Sequence, residues 1–148
     1  MAKTGVMIAG LASGSGKTLI SLGLLGACVR RSLSICAAKT GPDFIDTAFL
    51  TAAGGSPAIN LDGYAMPAKI LTQLAQDLPG ETMIIEGVMG LFDGGLGGVG
   101  SSAEIASALT VPIILVLDVR HTAQTAAMVV AALNQISHGA LIAGVILN

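Results

Sequence analysis

The sequence is poor in aromatic and charged residues. Its 148 residues include no tryptophan and one tyrosine, and 11% of them are charged, with seven basic against nine acidic side chains. Arg30 and Arg31 are the only two Lys or Arg residues that are adjacent. A nucleic-acid surface needs a basic stripe or aromatic stacking platforms, and this chain supplies neither. We therefore expect a small-molecule partner and no nucleic acid.

Long apolar runs and cysteine clusters are also missing. Although 53% of the residues are hydrophobic, each apolar run is interrupted before the roughly 18 residues that a membrane-spanning helix requires. The apolar stretch after Lys3 leads into a glycine-rich turn instead of a cleavage site, which argues against a signal peptide. Cys28 and Cys36 lack metal-ligand spacing, so we expect buried thiols in a reducing compartment. The sequence thus predicts a cytoplasmic protein without a membrane partner.

Apolar strand-like segments alternate with segments compatible with helices. Strands are predicted over Val6–Gly10, Ser34–Ala38, Thr82–Glu86, Pro112–Asp118 and Ala140–Leu147. Helices are predicted over Thr18–Arg31, Thr47–Ala53, Pro67–Gln76, Ser102–Leu109 and Thr122–Ile136. Such alternation favours a mostly parallel sheet that is covered on both faces. We therefore predict one doubly wound α/β domain over residues 1–148, a three-layer α/β/α fold like that of P-loop NTPases. Because the sequence stops directly after a strand, we expect the domain to be truncated.

The most informative segment follows the first predicted strand and reads Gly-Leu-Ala-Ser-Gly-Ser-Gly-Lys-Thr over residues 10–18. Glycines let backbone amides converge on phosphate oxygens, and the following helix contributes its N-terminus. In such a loop Lys17 reaches the β- and γ-phosphates and Thr18 holds Mg²⁺. The predicted nucleotide-binding residues are Gly10, Ser13, Gly14, Ser15, Gly16, Lys17 and Thr18. Five residues, instead of the usual four, separate Gly10 from Gly16, so an incidental glycine-rich turn is the alternative.

Acidic residues concentrate at or near the carboxyl ends of the predicted strands. Seven of the nine do so: Asp43, Asp46, Asp62, Glu86, Asp93, Glu104 and Asp118. Ligands of parallel sheets bind at this edge. Glu86 ends an apolar strand and is predicted to bind Mg²⁺, although capping of the next turn is an alternative role.

The loop from Lys39 to Asp46 combines a cation with two carboxylates. Lys39 is suited to neutralise a phosphoryl group in transfer while Asp43 or Asp46 holds Mg²⁺. A turn with a surface lysine and an aspartate cap is the alternative. Asp93 lies in a glycine-rich loop after Glu86 and is a further candidate.

The histidines carry no catalytic prediction. His121 and His138 fit solvated or hydrogen-bonded side chains, and Asp118 fits a carboxylate at a helix N-terminus.

Several segments, taken in order, resemble the cobyrinic acid a,c-diamide synthase family. They are the loop at residues 10–18, Lys-Thr-Gly-Pro-Asp-Phe-Ile-Asp at 39–46, Asn-Leu-Asp at 60–62 and Glu-Gly-Val-Met-Gly-Leu-Phe-Asp-Gly at 86–94. Gly-Ser-Ser-Ala-Glu at 100–104 and Gly-Val-Ile-Leu-Asn at 144–148 are similar to that family as well. The five-residue loop spacing is shared with the related dethiobiotin synthetases.

The resemblance implies an amidoligase of cobalamin biosynthesis that depends on ATP and Mg²⁺. Such an enzyme phosphorylates the a- and c-carboxylates of cobyrinic or hydrogenobyrinic acid, and ammonia then displaces the phosphate. The implied catalytic residues are Lys17, Lys39, Asp43, Asp46, Glu86 and Asp93. The implied metal ligands are Thr18, Glu86 and one of the two aspartates, with Asp43 preferred, and Asn148 is implied to recognise adenine.

The resemblance also implies partners outside the chain. Family members usually draw ammonia from a C-terminal glutaminase domain, for which this sequence has no counterpart, so the isolated chain is expected not to use glutamine. The substrate is then a corrinoid, and the chain is compatible with a homodimer. Other readings are a dethiobiotin synthetase-like ligase, a switch ATPase, or a nucleotide-binding module without ligase activity. The switch ATPases usually carry a lysine where Leu11 stands.

Overall fold

The computed structural model describes residues 3–136 and 139–148. His138 lies outside the described residues. The strands are β1 (Thr4–Gly10), β2 (Ile35–Thr40), β3 (Ile59–Leu61), β4 (Thr82–Glu86), β5 (Ile113–Leu117) and β6 (Ile142–Leu147). They form one sheet in the order β3-β2-β4-β1-β5-β6, and each neighbouring pair is parallel. The prediction of a parallel α/β sheet is therefore confirmed.

Five α-helices connect the strands within the described ranges. They are α1 (Lys17–Arg30), α2 (Phe44–Gly54), α3 (Ala68–Asp77), α4 (Ser102–Leu109) and α5 (Thr125–Gln135). A 3-10 turn at Leu96–Gly98 lies in the loop between β4 and α4. Most of these segments match the expected positions, with boundaries that differ by a few residues.

Two cores place helices on both faces of the sheet. Leu25 of α1 and Leu50 of α2 pack with Ile8 and Ile84 on one face. Leu71 of α3, Ile105 of α4 and Leu133 of α5 pack in a second core on the other face. Burying a Leu or Ile side chain contributes about 1.5–3 kcal/mol relative to exposure, so each layer is held mainly by aliphatic contacts. The three-layer α/β/α architecture is thus confirmed.

The end of β2 and the start of α2 differ from the sequence prediction. Strand β2 continues to Thr40, so Lys39 lies within the sheet and not in a loop after it. Helix α2 begins at Phe44, three residues before the predicted start at Thr47, because Asp43 caps it by accepting a hydrogen bond from the Asp46 amide at 3.1 Å. The sequence prediction also missed β3, whose three residues are too few to show a periodic pattern.

The topology creates a crevice at the centre of the sheet. Strands β1 and β4 are neighbours, but the chain leaves β1 toward β2 on one side and leaves β4 toward β5 on the other. Connections that diverge from adjacent strands leave a cleft beyond their carboxyl ends, where parallel sheets bind ligands. The glycine-rich loop follows β1 and Glu86 ends β4, so both predicted features open into this crevice.

The C-terminus of α4 carries a strained residue that offers a test of the fold. Thr110 has φ 55° and ψ 42°, and its amide closes the helix onto the carbonyls of Ala106 and Ser107. The left-handed conformation costs an L-residue about 1–2 kcal/mol, while glycine adopts it freely at the cost of some unfolded-state entropy. Thr110→Gly is therefore expected to raise the free energy of unfolding in urea by up to about 1 kcal/mol.

Thr72 provides the matched control because it lies inside α3, where its hydroxyl bonds to the Ala68 carbonyl. Thr72→Gly is expected to lower stability by a few tenths of a kcal/mol to about 1 kcal/mol. A loss of stability in Thr110→Gly equal to that in Thr72→Gly would contradict the strained cap.

Candidate functional site

The glycine-rich loop after β1 is tightly folded around buried polar atoms. Lys17 is 6% exposed, and its ammonium donates to the Ala12 carbonyl at 2.7 Å. The Ser15 hydroxyl is buried without a hydrogen-bond partner among the described residues. A Cβ on Gly10 would lie 2.2 Å from this hydroxyl, so a side chain at residue 10 would displace it. A buried hydroxyl and a buried ammonium at a helix N-terminus form a cradle that suits an anion.

Gly16 and Asn148 join the loop to the end of β6. Gly16 has φ 97° and directly precedes α1. The Asn148 side-chain amide donates to the Ser15 carbonyl at 3.1 Å, and a Cβ on Gly16 would lie 2.4 Å from the Asn148 nitrogen. The Asn148 backbone amide donates a hydrogen bond to the Leu117 carbonyl and so extends the β5–β6 ladder. Asn148 therefore lies at the predicted nucleotide site and holds the loop against the sheet.

Lys39 and Glu86 face each other across two neighbouring strands. They are register partners in the β2–β4 pairing, and the Lys39 ammonium lies 3.0 Å from Glu86 Oε1. Because side chains alternate along strands, both point to the face that α1 and α2 cover. The N-termini of those helices add Thr18 and Asp46, the latter 2.8 Å from the Lys39 ammonium. Four predicted site residues from separate elements are therefore brought together.

Glu86 is fully buried in this group. Its Oε1 accepts hydrogen bonds from the Thr18 hydroxyl at 2.5 Å and from Lys39, while Oε2 has no partner among the described residues. Burial raises the pKa of Glu86, and the Thr18 hydrogen bond and the charge of Lys39 offset part of that rise. An unpaired carboxylate oxygen in the interior is costly, so this oxygen is suited to a cation.

The two aspartates of the Lys39–Asp46 segment differ in position. Asp46 Oδ2 lies 3.5 Å from the Thr18 hydroxyl as well as beside Lys39. Burial raises the pKa of Asp46, but its hydrogen bond and ion pair with Lys39 outweigh this and hold that pKa below its usual value. Asp43 lies 3.9 Å from Lys39, and one of its oxygens caps α2. The capping role considered from the sequence is therefore present at Asp43, beside its place in the cluster.

Lys17 lies close enough to this cluster for the charges of the cluster to change its pKa. Burial, followed by the charge of Lys39, lowers the pKa of Lys17, while Glu86, Asp46 and Asp93 act in the opposite direction. A bound anion would counter both of the unfavourable effects, because it would partner the ammonium inside the buried loop.

Asp93 lies in the turn that follows Glu86. It is exposed, and its Oδ2 accepts a hydrogen bond from the Gly90 amide at 3.0 Å. A Cβ on Gly90 would lie 2.5 Å from the Leu11 carbonyl, so this turn passes directly against the glycine-rich loop of residues 10–18, the predicted phosphate loop. Asp93 is thus placed at the rim of the site.

The other acidic residues at this edge have local structural roles. Asp62 accepts from the amides of Tyr64 and Ala65, and Glu104 accepts from the Gly100 amide. Asp118 forms an ion pair with Arg120 at 2.6 Å. Hydrogen bonds from the Arg120 side chain and backbone lower the pKa of Asp118 to about 2.

Sequence reasoning missed three polar residues that organise the site. Asn60 donates to the carbonyls of Gly41 and Asp43 and accepts from Thr47, so it shapes the loop that carries both aspartates. Thr40 and Ser102 are fully buried and bond to the backbone after Glu86. Asn60, Thr40 and Ser102 all belong to segments that resemble the family, but their side-chain types alone gave no chemical signal.

The residues present fit Mg²⁺ with a nucleotide. Within residues 3–136 and 139–148 no group of three or more His, Cys, Asp and Glu side chains is arranged to hold a metal by itself. Mg²⁺ commonly uses one or two carboxylates together with substrate phosphates. The unpaired Glu86 oxygen, the Thr18 hydroxyl and Asp46 supply an all-oxygen set of this kind. Among the helices in the described ranges, none has the length and hydrophobicity of a membrane-spanning segment.

Comparison with known proteins agrees with this geometry. Residues 6–148 match the family described as the CobQ/CobB/MinD/ParA nucleotide binding domain. The chain is 47% identical over 149 residues to the hydrogenobyrinate a,c-diamide synthase of Rhodobacter capsulatus and 45% identical over 148 residues to that of Rhizobium meliloti. The matches cover 97% of this chain, which spans about a third (34%) of the length of each relative.

Solved structures share the fold at low sequence identity. The signal recognition particle receptor FtsY from Elizabethkingia anophelis has a TM-score of 0.64 and 16% identity, covering 98% of this chain and 50% of that one. Chloroplast FtsY from Physcomitrella patens has a TM-score of 0.60 and 15% identity, with coverage of 99% and 50%. Together with the family match, these findings show a P-loop NTPase-like fold. The chain belongs to the CobQ/CobB/MinD/ParA nucleotide binding domains and, among them, to the cobyrinic acid a,c-diamide synthase family.

Proposed function

We propose that this chain is the ATP-binding part of an amidoligase that converts the a- and c-carboxylates of cobyrinic or hydrogenobyrinic acid into amides. The carboxylate attacks the γ-phosphorus of ATP, ADP leaves, and ammonia then displaces phosphate from the acyl carbon. The overall change consumes one ATP and one ammonia for each amide formed. The observation that carries the proposal is a pair of buried oxygens, Ser15 Oγ and Glu86 Oε2, which have no hydrogen-bond partner in the described parts of the chain and lie beside Lys17 and Lys39.

The phosphate loop would hold the triphosphate. Its residues Gly10, Ser13, Gly14, Ser15 and Gly16 supply the cradle, and the Lys17 ammonium exchanges the Ala12 carbonyl for phosphate oxygens. Asn148 remains a prediction for adenine recognition, which is supported by its contact with the loop at Ser15.

Mg²⁺ would be held by Thr18, Glu86 and one aspartate. The 3.5 Å separation between Asp46 and the Thr18 hydroxyl favours Asp46 for this role. Asp43, the aspartate preferred from the family resemblance, stays a prediction for this role. It lies 3.9 Å from the Lys39 ammonium, which Asp46 approaches to 2.8 Å. Bound Mg²⁺ would supply charge neutralisation on the phosphates.

Lys39 and Asp93 would act on the transferring phosphoryl group and its acceptor. The Lys39 ammonium is already held by two carboxylates and the Gly87 carbonyl, so it is fixed in place before a ligand arrives. Preorganised charge of this kind stabilises a transition state without reorganisation. Asp93 would contact the carboxylate substrate or the acyl phosphate, which its position at the rim beside the phosphate loop supports.

Ammonia would come from a glutaminase domain outside residues 1–148, and the enzyme would work in the cytoplasm, where both free cysteines stay reduced. A homodimer is compatible with the proposal.

Gly16 and Gly14 give a paired test of the phosphate loop. Gly14 has φ 79° with open space around a Cβ, whereas a Cβ on Gly16 would also meet Asn148. Gly14→Ala carries the backbone cost alone, about 1–2 kcal/mol, and is expected to weaken ATP binding by roughly tenfold. Gly16→Ala is expected to weaken it further. Equal affinities in calorimetric titrations of the two variants would contradict the role of the Asn148 contact.

The proposed reaction is tested by corrinoid-dependent release of ADP. The chain with Mg·ATP, ammonium and hydrogenobyrinic or cobyrinic acid is expected to release ADP and phosphate and to form the amide, which mass spectrometry detects. Turnover with diaminopelargonate and bicarbonate instead would favour a dethiobiotin synthetase-like ligase. ATP-dependent dimerisation without turnover on either substrate would favour a switch ATPase, and ATP binding alone a module without ligase activity.

A further inference from the structure

Two buried hydroxyls hold the chain where it leaves β4. The Val88 amide donates to Thr40 Oγ1 at 2.7 Å and to Ser102 Oγ at 3.1 Å. Ser102 Oγ donates to the Val88 carbonyl at 3.2 Å, and the two hydroxyls lie 3.4 Å apart. Thr40 and Ser102 are both fully buried. We call this group the Val88 clamp.

The contacts of the clamp are compatible with one arrangement of hydroxyl protons that satisfies every donor in it. In this arrangement Ser102 donates its hydroxyl proton to the Val88 carbonyl, Thr40 donates to Ser102 Oγ, and the Val88 amide donates to both hydroxyl oxygens. A closed ring of this kind leaves no buried donor unsatisfied and rigidifies the peptide at its centre.

The backbone is shaped to admit the clamp. A Cβ on Gly87 would lie 2.8 Å from Ser102 Oγ, so a side chain there would displace the hydroxyl. Met89 has φ 47°, a conformation that costs a residue with a side chain and persists only when its surroundings enforce it. The turn from Gly87 to Asp93 is therefore held in a conformation that it would not adopt alone.

The clamp joins β2 and the turn after β4, which both carry predicted site residues, to the start of α4. Thr40 follows Lys39 in β2 and points to the opposite face, where α4 begins at Ser102. Lys39 also reaches the Gly87 carbonyl at 3.3 Å. At its far end the turn passes the Leu11 carbonyl and bonds Asp93 to the Gly90 amide.

We propose that Thr40 and Ser102 are positioning residues, which hold the turn from Gly87 to Asp93 against the phosphate loop so that Asp93 meets the phosphoryl acceptor. The proposal rests on the function proposed above. It assigns the two hydroxyls no contact with ATP, so they act on phosphoryl transfer and not on nucleotide affinity.

Thr40→Val tests the clamp because it removes the hydroxyl and keeps the shape. Losing one net hydrogen bond is expected to speed amide exchange in residues 87–93 by about tenfold, while exchange in β1 and the affinity for Mg·ATP stay within about twofold of the parent. The kcat for corrinoid-dependent ADP release is expected to fall about tenfold or more at unchanged KM for ATP. Thr40→Ser keeps the hydroxyl, so its amide exchange in residues 87–93 and its kcat should both stay close to those of the parent.

Ser102→Ala and Thr72→Val complete the design. Ser102→Ala should show the same faster exchange and lower kcat as Thr40→Val. Because it introduces a smaller side chain, it tests the clamp even if valine at residue 40 disturbs folding. Thr72→Val removes a hydroxyl that bonds within α3 and should change neither readout. Unchanged exchange in residues 87–93, or a loss of Mg·ATP affinity equal to that of kcat, would overturn the proposal. If the parent shows no corrinoid turnover, the proposed function fails, and the exchange and affinity data still decide the clamp.

Discussion

Replacing Lys17 by alanine is expected to weaken ATP binding by about 10- to 150-fold. The Lys17 ammonium is buried in the phosphate loop and bonds there to the Ala12 carbonyl alone among the contacts described. Hydrogen bonds to charged groups contribute about 1.5–3 kcal/mol, and each 1.4 kcal/mol is a tenfold change in affinity. Isothermal titration of ATP with the parent and the variant measures the difference.

The fold should survive this substitution. Burial and the charge of Lys39 lower the pKa of Lys17, so the unliganded protein gains little from the ammonium. We expect the free energy of unfolding to change by no more than about 1 kcal/mol. Lys69→Ala removes the same charge from an exposed position on α3 and should leave ATP affinity unaltered. Equal affinity of the Lys17→Ala variant and the parent would contradict the phosphate site.

Replacing Glu86 by glutamine is expected to abolish the benefit of Mg²⁺. The amide keeps an oxygen for Thr18 and Lys39 but replaces the unpartnered Oε2 with a donor that cannot bind a cation. Affinity for ATP in EDTA should stay within about threefold of the parent, since the phosphate loop is untouched. Phosphoryl transfer should fall by about 100-fold or more, because removal of one preorganised charge costs several kcal/mol of transition-state stabilisation.

Glu81→Gln is the matched control, since Glu81 is exposed ahead of β4. It should leave Mg²⁺ dependence and turnover as in the parent. Stability gives a second check, because burial raises the pKa of Glu86 and its charged form is disfavoured in the fold. Relative to the parent, Glu86→Gln should therefore become more stable as pH rises from below 4.5, the ordinary value of a Glu. Unchanged Mg²⁺ dependence in this variant would remove Glu86 from the metal site.

Much of the geometry of the candidate site was predictable because its residues lie at strand ends. An apolar run that ends in a carboxylate marks the edge where parallel sheets bind ligands, and Glu86 was identified by this pattern. The loop from Gly10 to Thr18 carried its own signature, since glycines with Lys-Thr before a helix have few other uses. Both are local patterns, so a single sequence displays them.

The pairing of Lys39 with Glu86 could not be predicted from local patterns. It depends on β2 lying beside β4 although β3 intervenes in the sequence. Strand parity then sends Lys39 toward α1 and α2, and Thr40 toward α4. The Val88 clamp could not be predicted for the same reason. A neutral hydroxyl has no distinctive pattern in the sequence, and its role depends on which backbone amides the fold places beside it.

Pulsed electron paramagnetic resonance, with Mn²⁺ in place of Mg²⁺, most directly tests whether the phosphate loop and Glu86 share one metal–nucleotide site. Mn²⁺ accepts the same oxygen ligands. With ATP and the parent chain, we expect a protein-bound Mn²⁺ signal with ³¹P hyperfine coupling. At the same concentrations, this protein-bound signal should weaken in Glu86→Gln and disappear in Lys17→Ala. A spectrum identical to that of free Mn·ATP, or a bound signal that both substitutions leave unchanged, would contradict the site described here.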